Sequence, residues 1–465
     1  VLQLFSYFVN PTAWINWQLL VFITSTNLGA VILAILAQNS ADDIAAVQRK
    51  LFTPSFYRSM NALSKLHGLL EQEAQKKGHT IDEEIEDLAP KLYGLFRAYV
   101  DVKASQEKII PPDPIVEKPP LVYQEDDEKY SVYFSKSKTG DFIFINCYSS
   151  LTSEVLWLDA NNPKSVPQVF LKRKQGHLYA VTHHGNGFYI VSNNEAPNNK
   201  ILFARTIPKS LSQCEVFQET SNKTYINGIS SFQEFLVIQE RTKGLNKIKI
   251  YPFESRETKY IAFDEETYYL GLAMNDDYKS NTLYYTYNSM TTPSSIYAYD
   301  MSTGKQELWH QKEIKDPEFA SSNYRSERIW ARANDGTEIP VSIVYKKGIQ
   351  LSQAPLLLYG YGSYGITIPD VFSATRLSLL DRGFVFAVAH IRGGKYMGEH
   401  WYENGKFMKK INSFTDFINA AEYLGHMGYC DPAKIYAQGG SAGGLLMGAV
   451  ANMAPYLWRG VVSQV

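Results

Sequence analysis

The chain has 465 residues, too many for a single core, and so predicts two or three domains. Its formal net charge of −1, from 46 basic and 47 acidic residues, gives no reason to expect nucleic acid or another polyanion as a partner. Three cysteines (Cys147, Cys214 and Cys430), far apart and without metal-ligand spacing, argue against a disulfide-built secreted fold. No phosphate loop or His/Cys/Asp cluster occurs, so no cofactor or metal is expected.

The first 41 residues carry no charged side chain. Within them, Trp17 to Ala37 is long enough to span a bilayer as a helix. The polar stretch "TSTN" in its middle fits a buried helix pair equally well. Two amphipathic helical patterns follow. One opens at Thr53-Pro54, an N-cap and first-turn proline; the other at "TIDEEIEDL", with acidic residues in its first turn. The proline-rich run 109–120, "IIPPDPIVEKPP", reads as a stiff linker. Residues 1–120 are therefore expected to be a helical packing or anchoring segment, since nothing in them converges on a site.

From 121 to 325 the texture changes to short β-branched and aromatic runs bounded by Gly, Asn, Asp and Ser. They group in fours, from "YSVYFSK" to "KQELWHQ", with starts near residues 130, 178, 225 and 268. A spacing of ~45 residues is the period of a four-stranded propeller blade, and it favours a partial β-propeller of about four blades over a β-sandwich.

Residues 326–465 change rhythm again. "RIWARANDGTEIPVSIVYKK" predicts a hairpin turning at Asp335-Gly336. "PLLLYGYG" and "GFVFAVAHI" are continuous apolar runs of the kind found in strands covered on both faces, and helical patterns alternate with them. This predicts a parallel α/β sheet, which the serine elbow that follows makes part of an α/β-hydrolase domain.

Chemistry concentrates at "KIYAQGGSAGGLLMGAVANM", a strand, a glycine-crowded turn and a helix. Gly439-Gly440-Ser441-Ala442-Gly443 is a G-x-S-x-G elbow, which lifts a nucleophilic serine above the sheet at a helix N-terminus. The Ala442 backbone N–H is the expected first oxyanion donor. "LLLYGYGSYG" offers a second, with Tyr359, Tyr361 and Tyr364 equal candidates by spacing alone. "HIRGGKYMGEHWYENGK" follows a buried strand and reads as a substrate-side loop, in which Arg392 either meets substrate or pairs with a carboxylate. His390 and His400 precede the serine, against the Ser, Asp/Glu, His order of α/β-hydrolases, and are read as structural. No His, Asp or Glu follows Ser441, and a serine without a base is a poor nucleophile.

Residues 121–465 resemble the prolyl oligopeptidase family of serine peptidases, and within it oligopeptidase B. The resemblance rests on "LLLYGYGSYG", "RLSLLDRGFVFAVAHIRGG", "MGEHWYENGKF", "FTDF", "QGGSAGGLLMGAV" and, further upstream, "NYRSERIWARANDGTEIPVSIVY". It implies that Ser441 is the acylated nucleophile and that Tyr361 and the Ala442 N–H form the oxyanion hole. It further implies short peptide substrates cut after Arg or Lys, and a cytoplasmic location; the 17–37 segment offers a single-pass membrane protein as the alternative. The family's triad Asp and His, and the carboxylates that select a basic residue, would lie beyond Val465, and earlier blades would precede residue 121. With Val1 at the start and the apolar "RGVVSQV", read as an unfinished buried strand, at the end, the chain is expected to be a fragment. Asp370 in "ITIPDVF" stands where oligopeptidase B tends to carry two acidic residues, and is the candidate for a basic subsite. The competing readings are a catalytically inactive propeller/hydrolase-like binding protein, a membrane-anchored dipeptidyl-peptidase relative, disfavoured by "GGSAGG", and a lipase or esterase, which would not need the blades.

Overall fold

The computed structural model describes residues 121–465 apart from Ala262 and Val465; the apolar segment 17–37, the two amphipathic patterns and the proline-rich run lie outside the described residues. Sixteen strands form four separate four-stranded antiparallel sheets, each in sequence order. The first holds β1 (Ser131–Lys136), β2 (Phe142–Tyr148), β3 (Ser153–Asp159) and β4 (Gln168–Leu171). The second holds β5 (Tyr179–His184), β6 (Gly187–Ser192), β7 (Lys200–Ala204) and β8 (Glu215–Gln218). The third runs β9 (Thr224–Ser231), β10 (Phe235–Thr242), β11 (Leu245–Pro252) and β12 (Lys259–Ile261). The fourth runs β13 (Tyr269–Leu272), β14 (Thr282–Asn288), β15 (Ser295–Asp300) and β16 (Gln306–Gln311). These are the propeller blades expected from the four-strand repeat.

The two-residue period of each strand explains how blades stack. In β6 every residue is buried, because Phe188 and Ile190 face the first blade's Phe144, Val155 and Phe170, while Tyr189 and Val191 face Ile226, Leu236 and Ile238 of the third. Strand β10 repeats the device, sending Leu236 and Ile238 one way and Val237 the other, toward Leu270 and Tyr285 of the fourth blade. Burial on both faces turns the strand-by-strand alternation into continuous apolar runs in the middle of each blade. By contrast β1 is exposed along its whole length, with Phe134 81% exposed.

The remaining residues build a six-stranded mixed sheet in the order β17-β18-β20-β19-β21-β22. Its members are β17 (Tyr324–Arg332), β18 (Glu338–Lys346), β19 (Leu356–Tyr359), β20 (Val385–Ala389), β21 (Ile435–Gly440) and β22 (Gly460–Gln464). The β17–β18 hairpin turns through Asp335-Gly336 as the sequence predicts, and β20, β19, β21 and β22 are mutually parallel. Four helices accompany the sheet: α1 (Ala374–Leu380), α2 (Glu399–Glu403), α3 (Ile411–His426) and α4 (Ala442–Met453). In β20, Val385, Ala387 and Ala389 pack with Phe417 and Leu424 of α3 and Met447 of α4, while Phe386 and Val388 pack with Leu377 and Leu380 of α1. This doubly covered, mostly parallel sheet is the α/β-hydrolase layer arrangement.

"RGVVSQV" forms β22, which among the described residues pairs with β21; Val461 and Val462 are 37% and 45% exposed.

Candidate active site

Strand β21 delivers the chain to Ser441, and α4 begins at the next residue. Ser441 has φ 53° and ψ −122°, a conformation that side chains rarely adopt and that recurs where function requires strain. Its N–H donates to Gln464 O at 2.7 Å, and its carbonyl accepts from Gly444 N–H at 2.7 Å, so both backbone groups at the apex are held. The serine is exposed, and among the described residues no imidazole or carboxylate hydrogen-bonds its Oγ.

The flanking glycines are explained by contact. A Cβ at Gly439 would lie 2.5 Å from Gly443 O and 3.1 Å from Gly360 O; one at Gly443 would lie 3.0 Å from Gly360 O. Gly440 is different, since a Cβ there would meet only Gln464 at ordinary distances of 3.8 Å or more. The tight turn thus presses the start of α4 against the end of β19. Ala442, as the first helical residue, has an N–H with no intrahelical acceptor, and it points with the helix N-terminus.

That packing separates the three tyrosines. Tyr359 ends β19 and packs partly buried beside Phe386 and Val388. Tyr364, at φ 56°, is 75% exposed. Tyr361 lies against the elbow, its Cδ2 3.6 Å from where a Gly443 Cβ would be. The loop that carries it is tied down from outside. Gly365 N–H donates to Gly393 O at 3.0 Å, and the Lys410 ammonium donates to Gly362 O, to Ser363 Oγ at 2.9 Å and to Ser413 Oγ at 3.3 Å. Burial pushes Lys410 down to about 8.

Arg392 and Asp370 sit in buried ion pairs. The Arg392 guanidinium makes a two-pronged contact with Asp416 of α3 (Nε to Oδ2 2.9 Å, Nη2 to Oδ1 2.6 Å) and reaches Asp335 of the hairpin turn at 2.6 Å. Its backbone N–H also donates to Asp416, at 3.0 Å. Asp370 is 2% exposed and accepts from Arg328 Nη2 at 2.8 Å and Tyr396 Oη at 2.9 Å, with His390 Nε2 at 3.2 Å. Burial opposes its ionisation, but His390 and Arg328 outweigh that and hold the carboxyl low. His390 is buried, stacked 3.6 Å from the Tyr396 ring and bonded to Ser342 Oγ at 2.8 Å; burial lowers its basicity. His400 is exposed on α2. Sequence reasoning did not single out Arg328, Tyr396, Lys410 or Asp416. The one signal was the position of Asp416 inside "FTDF", a charged residue on the apolar face of α3.

A partial propeller joined to an α/β-hydrolase-type sheet with a strained serine elbow defines a class by its domains, and comparison with known proteins specifies it. Residues 116–312 match the prolyl oligopeptidase N-terminal β-propeller domain, and residues 370–465 match the prolyl oligopeptidase family catalytic model. The chain belongs to the prolyl oligopeptidase family. It is 38% identical over 348 residues to dipeptidyl aminopeptidase BI of Pseudoxanthomonas mexicana, covering 74% of this chain and 48% of that protein. Protease 2 of Moraxella lacunata is 37% identical over 351 residues, 75% of this chain and 50% of its own length. Among solved structures, oligopeptidase B from Leishmania major superposes with a TM-score of 0.68 at 33% identity, over 73% of this chain and 49% of that one. Oligopeptidase B from Trypanosoma brucei, solved with covalently bound antipain in a closed form, gives the same TM-score and identity, over 74% and 51%. The chain spans about half the length of the curated relatives it matches.

Proposed function

We propose that this chain carries the nucleophile and oxyanion hole of a serine oligopeptidase of the oligopeptidase B type, acting on short peptides after Arg or Lys. The observation that carries the reading is Ser441 in its strained φ on the β21–α4 turn, with Tyr361 packed at the same helix start. In the reaction, Ser441 Oγ bonds to the scissile carbonyl carbon while a general base takes its proton. The tetrahedral oxyanion then receives hydrogen bonds from the Ala442 N–H and the Tyr361 O–H. Collapse breaks the C–N bond, the base returns the proton to the leaving amine, and water later hydrolyses the acyl-enzyme. Among the described residues no imidazole or carboxylate hydrogen-bonds Ser441 Oγ, so the reading leaves the base unassigned.

Arg392 and Asp370 enter this proposal as positioning residues, not as substrate contacts. Arg392 has its guanidinium committed to Asp416 and Asp335, and Asp370 has both oxygens turned into the Arg328–Tyr396–His390 cluster. Peptide substrates and a cytoplasmic location rest on the resemblance; among the described residues no helix is long and apolar enough to cross a membrane. The test is hydrolysis of fluorogenic peptides ending in Arg, Lys or Pro by the native protein. A kcat/KM for Arg or Lys at least about 10²-fold above Pro is expected; preference for Pro would overturn the specificity.

A second reading is favoured by one observation, the lack of any base hydrogen-bonded to Ser441 Oγ among the described residues. In it the protein is a catalytically inactive propeller/hydrolase-like binding protein, with or without a membrane tether through residues 17–37. Such a protein would bind peptides without turnover.

A further inference from the structure

The third blade meets the hydrolase sheet's loops around a cavity of about 110 Å³, lined among others by Arg241, Asn246, Tyr269, Asp370 and Tyr396. Arg241, next to last in β10, is 8% exposed and has no carboxylate within ion-pair distance among the described residues. Its Nη2 donates to Lys395 O at 2.6 Å and its face lies 5.2 Å from the Tyr225 ring centroid, but its Nε has no partner. Arg328, which bonds Tyr396 and Asp370 without itself lining the cavity, has both Nε and Nη1 buried without hydrogen-bond partners, and Oδ1 of Asp370 is buried in the same way. A buried guanidinium with unused donors and no counter-charge is costly, and natural interiors seldom leave one so.

The charge sum is informative. Arg241 and Arg328 carry two positive charges and Asp370 one negative charge. Burial lowers the basicity of His390, which lies 3.2 Å from Asp370 Oδ1, and Lys395 is paired with Glu399 at 2.9 Å. The exposed Glu266 carboxylate accepts from the Arg328 backbone N–H at 3.0 Å. Arg376, whose Nη1 donates to Val371 O and which also feels the Asp370 charge, adds a further cation, so the buried cluster is left at least one negative charge short. Burial alone depresses the Arg241 guanidinium, as expected of an uncompensated cation.

We propose that this cavity binds one small monovalent inorganic anion, a halide such as chloride, on the Arg241 guanidinium, with Arg328 supplying the second positive charge. The volume holds a halide and two or three waters, at about 30 Å³ per water. The site also has a mechanical consequence, because it lies where the β10–β11 turn docks on the hydrolase loop: Gly244 abuts the Tyr396 ring so closely that a Cβ there would overlap it. An anion seated beside this contact clamps the blade to the loop that carries Tyr396, and so stabilises the junction between the two parts of the molecule.

The test uses the full chain with chloride and bromide as probes. Its thermal unfolding is compared in sodium chloride and sodium gluconate at equal ionic strength, and crystals are soaked in bromide to locate the ion by anomalous scattering. The expected results are a Tm about 2–4 °C higher in chloride, abolished by Arg241→Met, and a bromide peak within hydrogen-bond reach of the Arg241 guanidinium. If Arg241→Met does not fold, the bromide position decides. Only water at that position, or a chloride effect that survives Arg241→Met, would overturn the site.

Discussion

The Lys410 ammonium donates to the carbonyl of Gly362, one residue beyond Tyr361, and so anchors the loop that reaches the serine elbow. It does so without a carboxylate partner among the described residues, so the cost of burying its charge is not offset by an ion pair.

That cost has a sign. Lys410 is pushed down to about 8 by burial, against about 10.4 in an unfolded chain. Below pH 8 both states are protonated and the penalty is constant. Between pH 8 and about 10.4 the unfolded state binds more protons, so this group's penalty shrinks as pH rises. The stability of wild type relative to Lys410→Met is therefore expected to improve from pH 7.5 to 9.5 in urea unfolding. A difference that stays flat across that window would contradict the burial of this ammonium.

The elbow glycines separate by contact. Gly439→Ala puts a methyl 2.5 Å from Gly443 O, backbone that cannot swing away, and is expected to cost about 1–3 kcal/mol. Gly440→Ala meets nothing closer than 3.8 Å and should stay within about 0.5 kcal/mol of wild type. Denaturation midpoints of the two variants check this directly; equal losses would mean the turn is not packed as described.

Much of this was legible in the sequence. All sixteen blade strands follow from β-branched runs at a fixed repeat, because each blade is one local unit whose strands pair in sequence order. The elbow was equally legible, since Gly439, Ser441 and Gly443 lie within five residues. Spacing alone did not distinguish Tyr361 from Tyr359 and Tyr364, and only the family resemblance did, because the difference depends on which residue meets Gly443, some 80 residues away. The roles of Arg392 and Asp370 were hidden for the same reason: Arg392 finds Asp335 and Asp416, and Asp370 finds Arg328 and Tyr396, only through the tertiary fold. Lys409 and Lys410 are identical in sequence terms, yet one is exposed and the other holds the loop.

The Arg392 ion pairs should differ sharply in weight. Asp416 is fully buried and bonds the guanidinium twice, so Asp416→Asn leaves a buried cation without its main partner and is expected to cost about 3–5 kcal/mol. Asp335 is 48% exposed at its side chain, and Asp335→Asn should cost less than about 1 kcal/mol. Chemical denaturation of both variants measures the contrast, and the reverse ranking would show that the hairpin-turn contact is the anchor.

For the oxyanion hole, Tyr361→Phe is expected to lower kcat by about 10²–10³-fold with little change in KM. Tyr359→Phe and Tyr364→Phe should leave kcat within a few-fold of wild type. Steady-state kinetics on an Arg-ending substrate decides; a loss confined to Tyr364→Phe would reassign the donor.

The most direct measurement is covalent labelling of the native protein with a fluorophosphonate, the modified residue being located by peptide-mapping mass spectrometry. The adduct is expected on Ser441, with labelling abolished by Ser441→Ala. An adduct on another residue, equal labelling of the variant, or no labelling of the wild type would contradict Ser441 as an activated nucleophile, and the last of these would favour the binding protein.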